Sequence, residues 1–167
     1  MQLTSVLRSK IVIICITILI ACNKNPPEKT SEDESANYTV STIAGNSTAG
    51  TADGISTDAR FNFPTGVVFD QQGNLYGTDS GNFSIRKITT GGLVSTLAGG
   101  QQGYAEGTGS AAQFFNTVGL TIDAAGNIYA ADGTRIRKIT PAGVVTTLAG
   151  TTSIGKADGT GSSAQVV

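Results

Sequence analysis

The chain has 167 residues, 22 of them glycine, with 11 basic against 12 acidic side chains. It has no histidine and two cysteines. These counts exclude Ser-His-Asp and Cys-His catalytic triads, zinc sites built on histidine or on a cysteine cluster, and the basic face that nucleic-acid binding requires.

Residues 1–21 read as a targeting segment. Arg8 and Lys10 supply a short positive stretch, and Ile11 to Ala21 is an apolar run of 11 residues. That is too short to span a bilayer as a helix and is the length of a signal-peptide hydrophobic region. It ends Leu19-Ile20-Ala21-Cys22, which resembles the bacterial lipobox. The resemblance implies cleavage after Ala21 and lipidation of Cys22, because small side chains fit the peptidase and the thiol accepts the diacylglyceryl group. Each buried acyl CH₂ is worth about 0.8 kcal/mol, and stable anchoring takes more than one chain, as a triacylated cysteine provides. Cys15 would leave with the signal, so the mature chain has no disulfide to form. Without Arg8 and Lys10 the balance is nine basic against 12 acidic residues.

Residues 22–38 read as the acylated cysteine and a disordered tether. Pro26-Pro27 and the acidic cluster Glu32-Asp33-Glu34 carry no apolar periodicity and cannot bury enough surface to fold. Asn23 is not the aspartate that holds enteric lipoproteins in the inner membrane. The expected location is therefore the cell envelope, at the outer membrane, facing periplasm or cell surface.

From residue 40 onward a hydrophobic phrase recurs: Val40-Ser-Thr-Ile-Ala-Gly45, Val94-Ser-Thr-Leu-Ala-Gly99 and Val145-Thr-Thr-Leu-Ala-Gly150. The text between recurrences repeats as well, so the chain is a tandem array at about 50 residues per unit, each supplying one small sheet. In the first unit the alternation predicts strands over 66–70, 75–79, 85–89 and 93–98, separated by Gly-containing turns. In the second it predicts strands over 119–123, 128–132, 135–140 and 144–149. The units differ in length by two residues after Asp79 and Asp132, where an indel belongs in a loop. Blades are expected over 62–99 and 115–150, with a start of a third unit at 151–167. Long Gly-rich connections lead into each first strand and end in aromatic anchors, Phe61-Asn-Phe63 and Phe114-Phe115. These anchors are expected to plug the space between blades.

The repeated pattern now has a recognisable form. Pro64-Thr-Gly-Val-Val-Phe-Asp70, Gly73-Asn-Leu-Tyr-Gly-Thr-Asp79, Ile85-Arg-Lys-Ile88 and Val94-Ser-Thr-Leu-Ala-Gly99 resemble the NHL repeat. The second unit departs once, with Thr117 where the first has Pro64. The resemblance spans residues 40–167 and implies an all-β fold of β-propeller blades, each a four-stranded antiparallel meander. It further implies a closing strand at 40–45 that completes the last blade of a ring. Closed propellers take about four to eight blades, so two complete units make an incomplete ring. The sequence reads as a truncated chain of a larger propeller, as a subunit that pools blades with its copies through open edges, or as a small non-propeller β-structure.

The repeat marks Gly66, Asp70, Asn74, Tyr76 and Asp79, with Gly119, Asp123, Asn127, Tyr129 and Asp132, as structural positions. Carboxylates at strand ends are able to line a channel and hold a cation. Their expected role is to accept backbone N–H groups in the turns that follow. Alternation places Arg86 and Lys87, and Arg137 and Lys138, on opposite faces, one to snorkel over the neighbouring blade and one to reach solvent. No catalytic residue, metal or cofactor is expected. The functional expectation is a lipid-anchored, non-enzymatic binding or scaffold module. Its expected partners are the membrane, a protein, peptide or glycan ligand, and other copies of itself, with no nucleic acid. The competing readings are a fragment of a metal-dependent lactonase- or lyase-type propeller enzyme, and a truncated chain without independent function.

Overall fold

The computed structural model describes residues 40–166. The targeting segment, Ala21, Cys22 and the tether of 22–38 lie outside the described residues.

Each repeat builds one antiparallel sheet. In the first, β1 (Gly54–Ile55) is followed by β2 (Pro64–Phe69), β3 (Leu75–Asp79), β4 (Ser84–Ile88) and β5 (Leu93–Gly99). In the second, β6 (Gly107–Thr108) precedes β7 (Thr117–Ile122), β8 (Ile128–Asp132), β9 (Arg135–Ile139) and β10 (Val144–Gly150). The sheet orders are β1-β5-β4-β3-β2 and β6-β10-β9-β8-β7. The four-stranded meander expected from the alternation is present in both. Among the described residues helix is confined to three-residue 3₁₀ turns.

The fifth strand was not legible in the sequence. Gly54 and Ile55 pair with Val94 and Leu93, and Gly107 and Thr108 pair with Val145 and Val144. Two residues of the Gly-rich connection therefore cover part of the outer edge of the sheet they lead into, which blunts an otherwise open ladder. The blade extends further toward the N-terminus than the 62–99 and 115–150 boundaries allow, and reads 54–99 and 107–150.

The expected closing strand at 40–45 forms no strand. The later copies of its phrase, β5 and β10, are strands because β4 and β9 satisfy their backbone groups. The first copy has no third strand beside it among the described residues, and a strand without a ladder leaves its polar backbone to solvent. Its placement still follows the repeat. Ala44 packs with Ala59, Ile88 and Val94, as Ala98 packs with Ala112, Ile139 and Val145.

The two sheets share one core. Tyr76, Ile85 and Ala98 of the first meet Phe114, Ile128, Ala130, Ile139 and Val145 of the second, with Val68, Leu97, Leu120 and Ile122 at the margin. The inner strands β2 and β7 approach closely at Gly66, where a Cβ would lie 3.2 Å from the carbonyl oxygen of Val118 and 3.5 Å from Cα of Gly119. Glycine at this repeat position thus permits blade docking. At Gly119 the same Cβ meets nothing within 4 Å among the described residues.

Of the aromatic anchors, only one per unit points inward. Phe114 is fully buried between the sheets, and Phe61 packs against the Ala59–Ile88–Val94 cluster. Phe63 and Phe115 are 78% and 44% exposed. The connection cannot turn two consecutive or alternating side chains into one gap while its backbone is being tied down by the carboxylates described next.

Candidate functional site

The turn after each first strand is built by one carboxylate. Asp70 Oδ1 accepts the backbone N–H groups of Gln72 (3.0 Å) and Asn74 (2.8 Å), while Oδ2 accepts from the Asn74 amide (2.8 Å) and the Tyr76 hydroxyl (3.2 Å). Asp123 repeats this with Ala125, Asn127 and Tyr129. Gly73 and Gly126 take φ of 83° and 82° to close the loop, which glycine does without a Cβ penalty. Here the sequence expectation holds: these aspartates accept backbone N–H groups in the following turn.

Partial burial works to raise the Asp70 carboxyl, but hydrogen bonds from Asn74, Tyr76 and Gln72 outweigh it and hold it below the usual carboxylate range. Asp123 is lowered chiefly by the Asn127 side chain, against the opposing effect of burial. Tyr129 is pushed up because its hydroxyl proton is held by Asp123. Both turns therefore carry fixed negative charge at neutral pH.

Side by side, the two turns border a groove of about 350 Å³ between the blades. Asp70, Gln71, Gln72, Asn74, Tyr76 and Lys87 line it from the first blade, and Asp123 to Gly126 with Pro141 from the second. Lys87 lies over the Tyr76 ring at 5.5 Å, as Lys138 lies over Tyr129 at 6.0 Å. The groove joins an ammonium group, carboxamides and ionised carboxylates. Asp70 and Asp123 spend their lone pairs on the turns, and no cluster of three or more metal-ligating side chains occurs among the described residues.

The aspartates that end the second strands differ from expectation. Asp79 and Asp132 are fully buried and accept from the segment before the first strand rather than only from the turn after the second. Asp79 Oδ1 accepts the N–H of Asn62 (2.6 Å), and Asp132 Oδ1 accepts those of Phe115 (2.8 Å) and Asn116 (2.9 Å). Their other oxygens pair with Arg86 (2.8 Å) and Arg137 (3.1 Å). Those arginines neither snorkel nor reach solvent. Arg86 is buried, with Nη1 donating to the carbonyl of Arg60 and Nη2 to that of Ala52 and to Asp53. Arg137 reaches the carbonyls of Gln113 and Ala105. A planar guanidinium with five donors suits a site that must satisfy several carbonyls and a carboxylate at once.

The comparisons agree with this architecture. Residues 101–165 match the model of the teneurin NHL domain. Over 85 residues, 50% of the chain, it is 35% identical to protein SUPPRESSOR OF QUENCHING 1, chloroplastic, of Arabidopsis thaliana, a stretch that covers 8% of that protein. Among solved structures, a Bacteroides thetaiotaomicron protein of unknown function superposes with a TM-score of 0.63 at 25% identity, covering 78% of this chain and 33% of that one. An auxiliary nutrient binding protein from Bacteroides ovatus gives 0.53 at 25% identity, covering 63% and 28%. A Bacteroides thetaiotaomicron protein provisionally named a phosphatase gives 0.50 at 25%, covering 64% and 25%. The chain thus spans a third or less of these structures' length and under a tenth of the plant relative's. Over residues 101–165 the repeat is similar to an NHL domain, and the architecture is that of propeller blades.

Proposed function

We propose that this chain is a non-enzymatic binding module of the bacterial cell envelope, held to the outer membrane by lipid on Cys22. It takes a peptide or glycan segment in the groove between its blades. The observation that carries the binding reading is the groove itself, where Gln71, Gln72, Asn74 and Lys87 of the first blade face the 123–126 turn of the second, both turns already locked by hydrogen bonds. Preorganised donors and acceptors lower the ordering cost of binding. The nutrient-binding description of the Bacteroides ovatus neighbour favours the same reading. The provisional phosphatase name of another neighbour favours an enzyme, but this chain has no histidine and the groove carboxylates are engaged in turns.

Two experiments test the reading. Metabolic labelling with palmitate in a Gram-negative host is expected to mark the full chain and not its Cys22→Ala variant; an unlabelled wild type rejects the anchor. Immobilised full chain probed with peptide and glycan arrays is expected to retain a ligand that Lys87→Ala releases. Equal retention by both chains rejects the groove.

A further inference from the structure

The Gly-rich connection closes on itself in the same way three times. Arg60 N–H donates to the carbonyl of Ala52 at 2.9 Å, Gln113 N–H to that of Ala105 at 3.0 Å, and Gln165 N–H to that of Ala157 at 2.9 Å. The backbone within the last two loops has matching angles. Thr108 and Thr160 take φ of −114° and −109°, Gly109 and Gly161 of 58° and 56°, and Ala112 and Ala164 of −77° and −76°. The third loop is therefore already folded to the shape of the second.

In the first two loops that shape holds a guanidinium. Arg86 donates to the carbonyls of Arg60 and Ala52 and to the Asp53 carboxylate. Arg137 donates to the carbonyls of Gln113 and Ala105, and Glu106 stands where Asp53 does. Beneath each arginine lies a fully buried alanine, Ala59 packed with Ile88 and Val94, and Ala112 with Ile139 and Val145. Ile88 and Ile139 each follow the arginine by two positions and so share its face of the strand. Each loop thus receives one strand face of the pattern Arg-x-Ile.

The third loop presents the corresponding acceptors: the carbonyls of Ala157 and Gln165 and the carboxylate of Asp158. Ala157 and Asp158 are exposed, and Ala164, at the position of Ala59 and Ala112, is only partly buried. The remaining described arginines are engaged elsewhere, Arg60 on the carbonyls of Thr57, Asp58 and Ala59, and Arg135 on that of Tyr104. Asp158 makes no ion pair among the described residues. Two differences weaken the third loop without removing its acceptors. Val166 stands where the rings of Phe61 and Phe114 lie 4.9 and 5.4 Å from their guanidinium groups, and Lys156 places an exposed cation two residues before Asp158.

We propose that the loop 157–165 is a receptor for an arginine side chain carried on an extended Arg-x-Ile strand of a binding partner. Two carbonyls and a carboxylate match the planar fork of a guanidinium, which an ammonium contacts only as a point charge. The site is separate from the groove between the blades, which these residues do not line.

Nuclear magnetic resonance of the isotope-labelled full chain, titrated with the peptide acetyl-Ile-Arg-Lys-Ile-amide, tests this. Saturable shifts are expected at the Asp158 and Gln165 amides, while those of Asp53, Arg60, Glu106 and Gln113, whose loops hold their own arginines, stay in place. The same peptide with citrulline for arginine keeps the shape and loses the charge, and is expected to bind about tenfold more weakly or worse. Asp158→Asn is expected to weaken the arginine peptide by about tenfold, and Asp158→Glu to retain it, since glutamate serves at position 106. Both variants are expected to melt with wild type because Asp158 is exposed. No saturable shift within 157–165 overturns the proposal. So do equal shifts in all three loops, equal binding of the citrulline peptide, or undiminished affinity in Asp158→Asn.

Discussion

The carboxyls of Asp70 and Asp123 illustrate how a single residue type builds the same turn twice. Each accepts two backbone N–H groups, one carboxamide and one phenol. Both are held below the ordinary carboxylate range, so the unfolded chain binds protons at a higher pH than the folded one. The stability they contribute is fully present above the unfolded value of about 3.9 and is lost as pH falls through the lowered folded values. Thermal melts between pH 2 and 6 are expected to show wild-type stability falling below about pH 4. In an Asp70→Asn/Asp123→Asn chain that fall is expected to be shallower, from a lower starting point at pH 6. Parallel curves for the two chains refute this role. The Asp-x-x-Gly-Asn spelling made the turn legible, because its backbone and carboxamide donors lie within four residues of the acceptor.

The strand-end position misled at Asp79 and Asp132, which lack that spelling. Their main partners are 16 or 17 residues upstream and on the third strand, and a local reading assigns an acceptor to its nearest donors. Strand alternation correctly put Arg86 and Lys87 on opposite faces. It could not show that the arginine face is covered by the connection that loops back to form β1 and β6. That segment looked like linker because a two-residue strand has no period to detect. The Arg–Asp pair makes each blade an element closed on its own leader. Replacing Arg137 by methionine leaves Asp132 buried and unpaired, which is expected to cost about 3–5 kcal/mol in urea unfolding. Adding Asp132→Asn is expected to recover part of that loss, since the amide keeps an acceptor for the Phe115 and Asn116 N–H groups without a buried charge. A double variant no more stable than the single removes the charge from the explanation.

At the scale of the whole molecule, the question is whether two blades behave as one cooperative body. Their alternation fixed both meanders, but not which faces meet, since period-two patterns are silent on the order of sheets. The structure puts Phe114 at the centre of a core drawn from both, and β2 against β7 at Gly66. A methyl at Gly66 must move a strand carbonyl that lies 3.2 Å away, and overpacking of this kind costs about 1–3 kcal/mol. The equivalent methyl at Gly119 enters open space among the described residues. Gly66→Ala is therefore expected to lower the melting temperature by several degrees, with Gly119→Ala near wild type. Phe114→Ala is expected to cost about 3–5 kcal/mol. Because Tyr76, Ile85 and Ala98 lose their partner along with Ile128 and Ile139, amide exchange should quicken in both sheets at once. Faster exchange confined to β7–β10 would mean that each blade is stabilised chiefly by its own Arg–Asp pair, and that the shared core contributes little to holding them together.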